Sequence, residues 1–442
     1  MIRWLCILPL YLWITISCNK HTLYTYGPSS IRPDSESVAV NILGKQNKNP
    51  NLSNGFNIWH ILYRLFQKIF KGLAGDTGLR NSGSFLQRRL PPNIPFPCKR
   101  FNQRSGAVPD NVHQLRPGDI DVVAAIGDSL TAATGANAIA LFEASVDNRG
   151  LSFSIGGQGN YRTHLTLPNI LKEFNPRLIG FSWRDASSVD PGAVFNLAED
   201  VALTSDMPFM AYKLLRRMRL DRRVNMERHW KLVTITVGVN DFCLDVCQQN
   251  ISPRRISRRQ EDNLIKTLRI IRDTMPRTFV NLVAEPLTSL IISMDVILSL
   301  PFPCRIGRSV LCSCLEGIRH SQARDLYLAL LQNYKQILQR VAHRAEFQRD
   351  DFTVVFQPFG LNASVFIDDQ TPEISIMAYD CINLSQKGHA VLANGLFNNM
   401  MQPSGLKTIG LRPLYKEFVC PTEENPYLRT YFNSFQAVDS IF

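Results

Sequence analysis

Ala124-Ala125-Ile126-Gly127-Asp128-Ser129-Leu130-Thr131 decides how this chain reads. An apolar, β-prone run from Val122 to Ile126 ends in Gly127-Asp128-Ser129, and a small-residue segment able to start a helix comes next. That order puts a hydroxyl at the carboxyl end of a strand, where open α/β sheets hold their ligands. A serine there is a nucleophile if a base takes its proton and amide donors hold the oxyanion. The alternative for a lone Gly-Asp-Ser is a turn serine that caps the next helix.

Outward from this stretch, strands alternate with helices. Leu151 to Gly157 reads as a second strand ending in a turn, and Thr166 to Phe174 as helical. Met207 to Met218 is apolar at 207, 210, 214 and 218, which is helical spacing. Leu232 to Val237 reads as a strand buried on both faces, Asp262 to Met275 as a helix stopped by Pro276, and Phe279 to Ala284 as a strand. Arg324 to Arg344 is a long amphipathic helix and Phe352 to Phe356 the last strand. Ser385 to Met401 closes the domain, with Ser385 as N-cap. The alternation predicts an α/β fold with a mostly parallel sheet covered on both faces. No internal repeat is visible.

The 442 residues are 45% hydrophobic and 19% charged, which is globular composition with ample material for a core. Met1 to Ser17 reads as a secretory signal: Arg3 precedes the apolar run Trp4 to Ile16. Residues 18–95 read as weakly structured, apart from a basic amphipathic helix near 58–73 with apolar positions 58, 62, 65, 66, 69 and 73. That helix suits a membrane surface, the catalytic domain or a propeptide equally. Within this region 72–92 is a linker by composition, and Arg88-Arg89 offers a dibasic processing site. The main domain is expected over 96–405 and a C-terminal extension over 406–442, and no segment has the length and apolarity of a membrane span. The localisation expected is secreted.

Ten cysteines occur, and the eight from Cys98 onward suit an oxidising compartment as four disulfides of undetermined pairing. Cys312 and Cys314 are too close to bridge one another, so each reaches elsewhere. A zinc site is disfavoured because no histidine stands at ligand spacing beside them. Asn51, Asn250, Asn362 and Asn383 head Asn-x-Ser sequons. The net charge is +12, and Lys213 to Lys231 carries eight basic against two acidic residues. Arg254, Arg255, Arg258 and Arg259 form a second patch. Nucleic acid is a poor partner for a secreted chain without a nucleic-acid motif. A solvated basic face is the plain reading, and attraction to anionic lipid headgroups the functional one.

Four segments fall at the expected carboxyl edge of the sheet: Gly127-Asp128-Ser129, Asn196 to Ala202, Gly238 to Asp241, and Asp380 to Asn383. With these, Leu115-Arg116-Pro117-Gly118-Asp119-Ile120, Thr166 to Leu171 and Ser385-Gln386-Lys387-Gly388-His389 make the chain similar to the SGNH (GDSL) hydrolases, and within them to the phospholipase B type. The likeness runs from about Phe96 to Pro403. It implies an α/β/α sandwich, cleavage of acyl esters of phospholipids and related lipids, and a serine mechanism that needs no metal or other cofactor. Ser129 falls on the family's nucleophile and its N–H on one oxyanion donor. Asn240 falls on the side-chain oxyanion donor, and Asp380 on the residue that orients the catalytic histidine.

Two positions depart from the pattern. Asn383 stands where the family has that histidine, and Val201 where a glycine N–H completes the oxyanion hole. An asparagine amide takes no proton near neutral pH, so Ser129 lacks a general base. Val201 keeps a backbone N–H, but its branched side chain crowds the site and disfavours backbone geometry open to glycine. His389, about one turn into the last helix, is the nearest substitute base and is expected to face away from Ser129. Three readings stay open. The first is an active phospholipase or esterase with a different base. The second is a catalytically impaired relative that binds lipid or anionic lipid surfaces. The third is a secreted fold that outlived any lipid role.

Overall fold

The computed structural model describes residues 69, 72–74, 77–80, 83–98, 104–249, 251–294, 302–364 and 373–435. The chain divides into two units, Met1–Gly75 and Asp76–Phe442. In the first, residues 69 and 72–74 are helical. The signal stretch, the Asn51 sequon and the rest of the helix expected over 58–73 lie outside the described residues, as does Asn250. The second unit holds the sheet, the core and the candidate site.

Four strands, β1 (Ile120–Gly127), β2 (Trp230–Thr236), β3 (Thr278–Val283) and β4 (Phe352–Gln357), pair in that order, all parallel. Nearly every residue of each is buried, because helices cover both faces. The helices that matter for the site are α1 (Ser129–Ala132), α2 (Met207–Leu220), α3 (Pro253–Thr274), α4 (Leu287–Met294), α5 (Phe302–Leu311), α6 (Arg324–Ala342) and α7 (Gln386–Met401). α2, α3 and α6 pack together on one face. α7 lies with the short helix Leu167–Leu171 on the other. α7 is buried almost all round, and the 406–428 segment covers it: Asn394 and Asn398 donate to the Glu417 carbonyl, and Phe418 stacks on Phe397. Ser385 caps α7 by accepting from the Gly388 N–H, as its sequence position predicts.

The stretch 151–157 is not a strand. Arg149–Leu151 is a 3₁₀ turn, and the residues after it bond to scattered partners instead of one neighbouring strand: Gly156 N–H donates to the Ser152 carbonyl at 2.8 Å, Gly157 N–H to Ser182, and the Phe153 carbonyl accepts from Leu167. The alternation Leu151, Phe153, Ile155 is real, but it buries into the core from a coiled segment that touches another strand-like residue only at the Gly156–Ser182 bridge. α3 begins nine residues before the expected start, with Pro253 in its first turn. Only Ile256 keeps the apolar stripe going through the arginines there, which hid the extension. α4 and α5 occupy a region whose apolar run gave no helical period to read.

The four disulfides form as Cys98–Cys420, Cys243–Cys312, Cys247–Cys314 and Cys304–Cys381. The first ties the start of the domain to its last segment; the last ties α5 to the residue beside Asp380. Residues 77–80 and 83–98 are also anchored: Thr77 and Gly78 donate to Asp185, and the Gln87 and Gln386 amides bond each other. No described helix is long and apolar enough to cross a membrane.

Candidate active site

Ser129 sits at the first position of α1, straight after β1. Gly127 makes the turn fit. A Cβ there would lie 2.2 Å from the Thr236 carbonyl of β2 and 2.5 Å from Thr131 Oγ1. Asp128 caps α1, its Oδ1 accepting from the Leu130 N–H at 3.2 Å. Burial, with Glu285 and Asp241 adding to it, pushes the Asp128 carboxyl well above the usual range. Ser129 is 6% exposed, and its Oγ makes no hydrogen bond to a described residue. Its N–H donates to the Asp200 carbonyl at 3.1 Å.

Asn240 reaches the same carbonyl. Two residues after β2 comes Gly238, whose φ of +136° and whose 2.6 Å clearance from the Tyr334 ring both exclude a side chain. Two residues on, Asn240 Nδ2 donates to Asp200 O at 2.8 Å and to Ala202 O at 3.0 Å. Thus Ser129, Asn240 and the segment holding Val201 meet directly. The group at their centre is the Asp200 carbonyl, and not the Val201 N–H that the sequence pattern led one to expect. Asp241 fixes the neighbouring loop, accepting from Thr204 Oγ1 at 2.6 Å and Thr204 N–H at 2.9 Å. Burial pushes its carboxyl up to about 7.

A buried arginine clamps the segment before this turn. Arg149, wholly buried, donates to the carbonyls of Ala186, Asn196 and Ala198, to Asn196 Oδ1 and, at 2.8 Å, to Asp147. Asn196 in turn donates to the Thr131 carbonyl of α1 at 2.9 Å. No sequence pattern marks Arg149; a lone arginine in Asp147-Asn148-Arg149-Gly150 reads as surface.

Asp380 and Asn383 form the second half. Asp380 Oδ1 accepts from the N–H groups of Ile382 (3.0 Å) and Asn383 (2.9 Å), and Oδ2 from Asn383 Nδ2 at 2.8 Å. Burial raises the Asp380 carboxyl despite these donors. Asn383 Oδ1 is buried with no hydrogen-bond partner among the described residues. Three residues past Asn383, the Gln386 N–H donates to the Ala136 carbonyl, which lies just beyond α1. No hydrogen bond joins the pair to Ser129 among the described residues. Asn383 and Ser385 are both buried, so the folded chain does not present that sequon, whereas Asn362 is exposed.

His389 is committed elsewhere. It is buried against Phe153, its Nδ1 accepts from the Phe153 N–H at 3.3 Å, and burial drives it down to about 3. Among the described residues no cluster of three or more His, Cys, Asp or Glu side chains is arranged to hold a metal ion.

Comparison with known proteins gives this geometry a context. The chain is 37% identical over 336 residues to the rat protein "Phospholipase B1, membrane-associated". It is 36% identical over 343 residues to the human protein of that name. Each match covers 75% of this chain but only 22% of the rat protein and 23% of the human one, so the chain spans less than a quarter of these relatives' length. The profile of the "GDSL-like Lipase/Acylhydrolase" family matches residues 123–396, which take in β2 to β4, β1 from Val123 onward and every residue of the candidate site. The chain belongs to the GDSL-like lipase/acylhydrolase family, as a phospholipase B-like member.

Proposed function

We propose that this chain is a secreted phospholipase B-like protein whose ancestral reaction, hydrolysis of phospholipid acyl esters, is severely impaired because its serine has no general base. The observation that carries the reading is the 2.8 Å bond from Asn383 Nδ2 to Asp380 Oδ2. The carboxylate that would orient an imidazole holds an amide, and an amide takes no proton near pH 7. Ser129 remains at the strand end, but its hydroxyl keeps its proton. His389 does not replace the base, since its Nδ1 is already an acceptor for Phe153. Loss of the histidine from a serine hydrolase costs about 10⁶ in turnover. Parent protein and Ser129→Ala are therefore expected to hydrolyse a phosphatidylcholine micelle or a p-nitrophenyl ester at the same background rate. A parent rate that Ser129→Ala abolishes establishes the active-enzyme reading with another base.

A second reading, binding of an anionic lipid surface without catalysis, is favoured by one observation. Arg254, Arg255, Arg258 and Arg259 are all exposed in the first two turns of α3. Cations there oppose the helix dipole, so local stability does not account for them. That end of α3 lies beside the site, since Gln260 Nε2 reaches Asp241 Oδ1. The four disulfides suit the oxidising compartment that secretion implies.

A further inference from the structure

Glu199 to Ala202 form a tight turn closed by the Ala202 N–H donating to the Glu199 carbonyl at 3.0 Å. The central peptide of that turn joins Asp200 to Val201. Its carbonyl oxygen takes the Ser129 N–H at 3.1 Å and Asn240 Nδ2 at 2.8 Å. In a trans peptide the C=O and N–H point in opposite directions, so the Val201 N–H faces away from both donors. Two common forms of such four-residue turns, type I and type II, differ by a flip of roughly 160° in the central peptide. Type II needs φ near +80° at the third residue, here Val201, and that region belongs to glycine. Val201 is not among the residues of positive φ, and a β-branched side chain is the least suited to it.

We infer that Val201 sets the polarity of the oxyanion hole: it holds the 199–202 turn in the form that seats the Asp200 carbonyl on the Ser129 and Asn240 donors. A glycine at 201 frees the turn to flip and present an N–H there instead. The hole of this chain is thus filled by its own backbone. Ser129 N–H and both hydrogens of the Asn240 amide, the second on Ala202 O, are already used. A tetrahedral oxyanion at Ser129 would meet a carbonyl oxygen where it needs a donor. The effect acts through backbone conformation and not through the bulk of the valine. It is independent of the missing base, although it rests on the hydrolase reading of Ser129 and Asn240.

The decisive experiment separates conformation from bulk. In the Asn383→His background, Val201→Gly, Val201→Asn and Val201→Ala are compared for p-nitrophenyl ester turnover, alongside a crystal structure of each 201 variant. Glycine is expected to raise turnover 10²- to 10³-fold, the effect of one oxyanion donor. Asparagine, which visits positive φ more readily than other non-glycine residues, is expected to fall between, and alanine to gain nothing. In the Val201→Gly crystal the Asp200 carbonyl is expected to have left Ser129 and Asn240. Equal gains for alanine and glycine overturn the inference, because bulk then explains both. So does a Val201→Gly crystal that keeps the bond from Ser129 N–H to Asp200. If no variant hydrolyses ester but the glycine crystal shows the flipped peptide, the inference stands and the hydrolase reading fails. Should Val201→Gly not fold, the Val201→Asn crystal decides by the same bond.

Discussion

Asn383→His combined with Val201→Gly is expected to raise ester turnover over the parent by on the order of 10⁴ or more, the largest gain any pair of substitutions should give here. Histidine alone supplies the base but leaves the Asp200 carbonyl on Ser129 N–H and Asn240. Glycine alone opens the hole for a serine that keeps its proton. The two effects act on one transition state, so they are strongly non-additive, and each single change should recover only a small part. The acceptor for the new imidazole is in place, since Asp380 Oδ2 already binds a side-chain N–H from position 383 at 2.8 Å. A base works only when unprotonated, so kcat/KM of the double variant should rise with pH through the imidazole pKa and then level off. The neighbouring carboxylate moves that midpoint upward from the free value of about 6.5. A double variant whose turnover is flat from pH 5 to 8 would mean that the introduced ring is not the base.

The second large effect concerns stability. Arg149→Met should cost about 3–5 kcal/mol, because removing one partner of a buried ion pair strands the other. The guanidinium is wholly buried, and Asp147, at 2.8 Å, has a side chain only 4% exposed. Burial already raises the Asp147 carboxyl, and Arg149 is the charge that opposes the rise. The same substitution removes the donors to the Ala186, Asn196 and Ala198 carbonyls. Each then becomes a buried acceptor without its arginine donor, and the segment leading into the 199–202 turn loses its clamp. Thermal unfolding should show a midpoint lower by about 4–7 °C for a domain of this size. Arg149→Met with Asp147→Asn should recover part of the loss, since no unpaired charge remains. A single variant within about 1 kcal/mol of the parent would show that the region repacks around the missing charge.

The fold was legible wherever burial on both faces left dense β-branched and apolar runs, as in Val122 to Ile126 and Leu232 to Val237. It was not legible at 151–157, where an alternating pattern serves a coil whose hydrogen bonds go to scattered partners, Ser182, Leu167 and His389 among them, and not to one strand. The start of α3 was hidden because arginines fill the exposed positions there and leave one apolar marker, Ile256. In the site, Ser129 could be named from its place after a strand and Gly127, whereas Asn240 and Asp380 could be named as candidates only because the stretches around them resemble the family's motifs. The valine at 201 was visible as a departure, but the direction of its peptide was not. That direction is one backbone torsion pair, and it emerges only when Ser129 and Asn240 are seen to share the Asp200 carbonyl. Arg149 lay beyond reach for another reason: a charged side chain is buried only when distant segments supply its acceptors, and no local pattern records that.

If nothing takes the proton from Ser129, a serine-directed fluorophosphonate should label it very slowly, and the rate of that labelling is the most direct measurement. Intact-mass and peptide spectra of the parent, incubated at pH 7.5 beside an active serine hydrolase, report that rate without assuming a substrate. No detectable adduct is expected at Ser129 while the control is fully labelled, and the Asn383→His, Val201→Gly double variant should label on the control's time scale. Stoichiometric labelling of Ser129 in the parent would contradict the missing base, because an activated serine requires a proton acceptor and the Asn383 amide is not one.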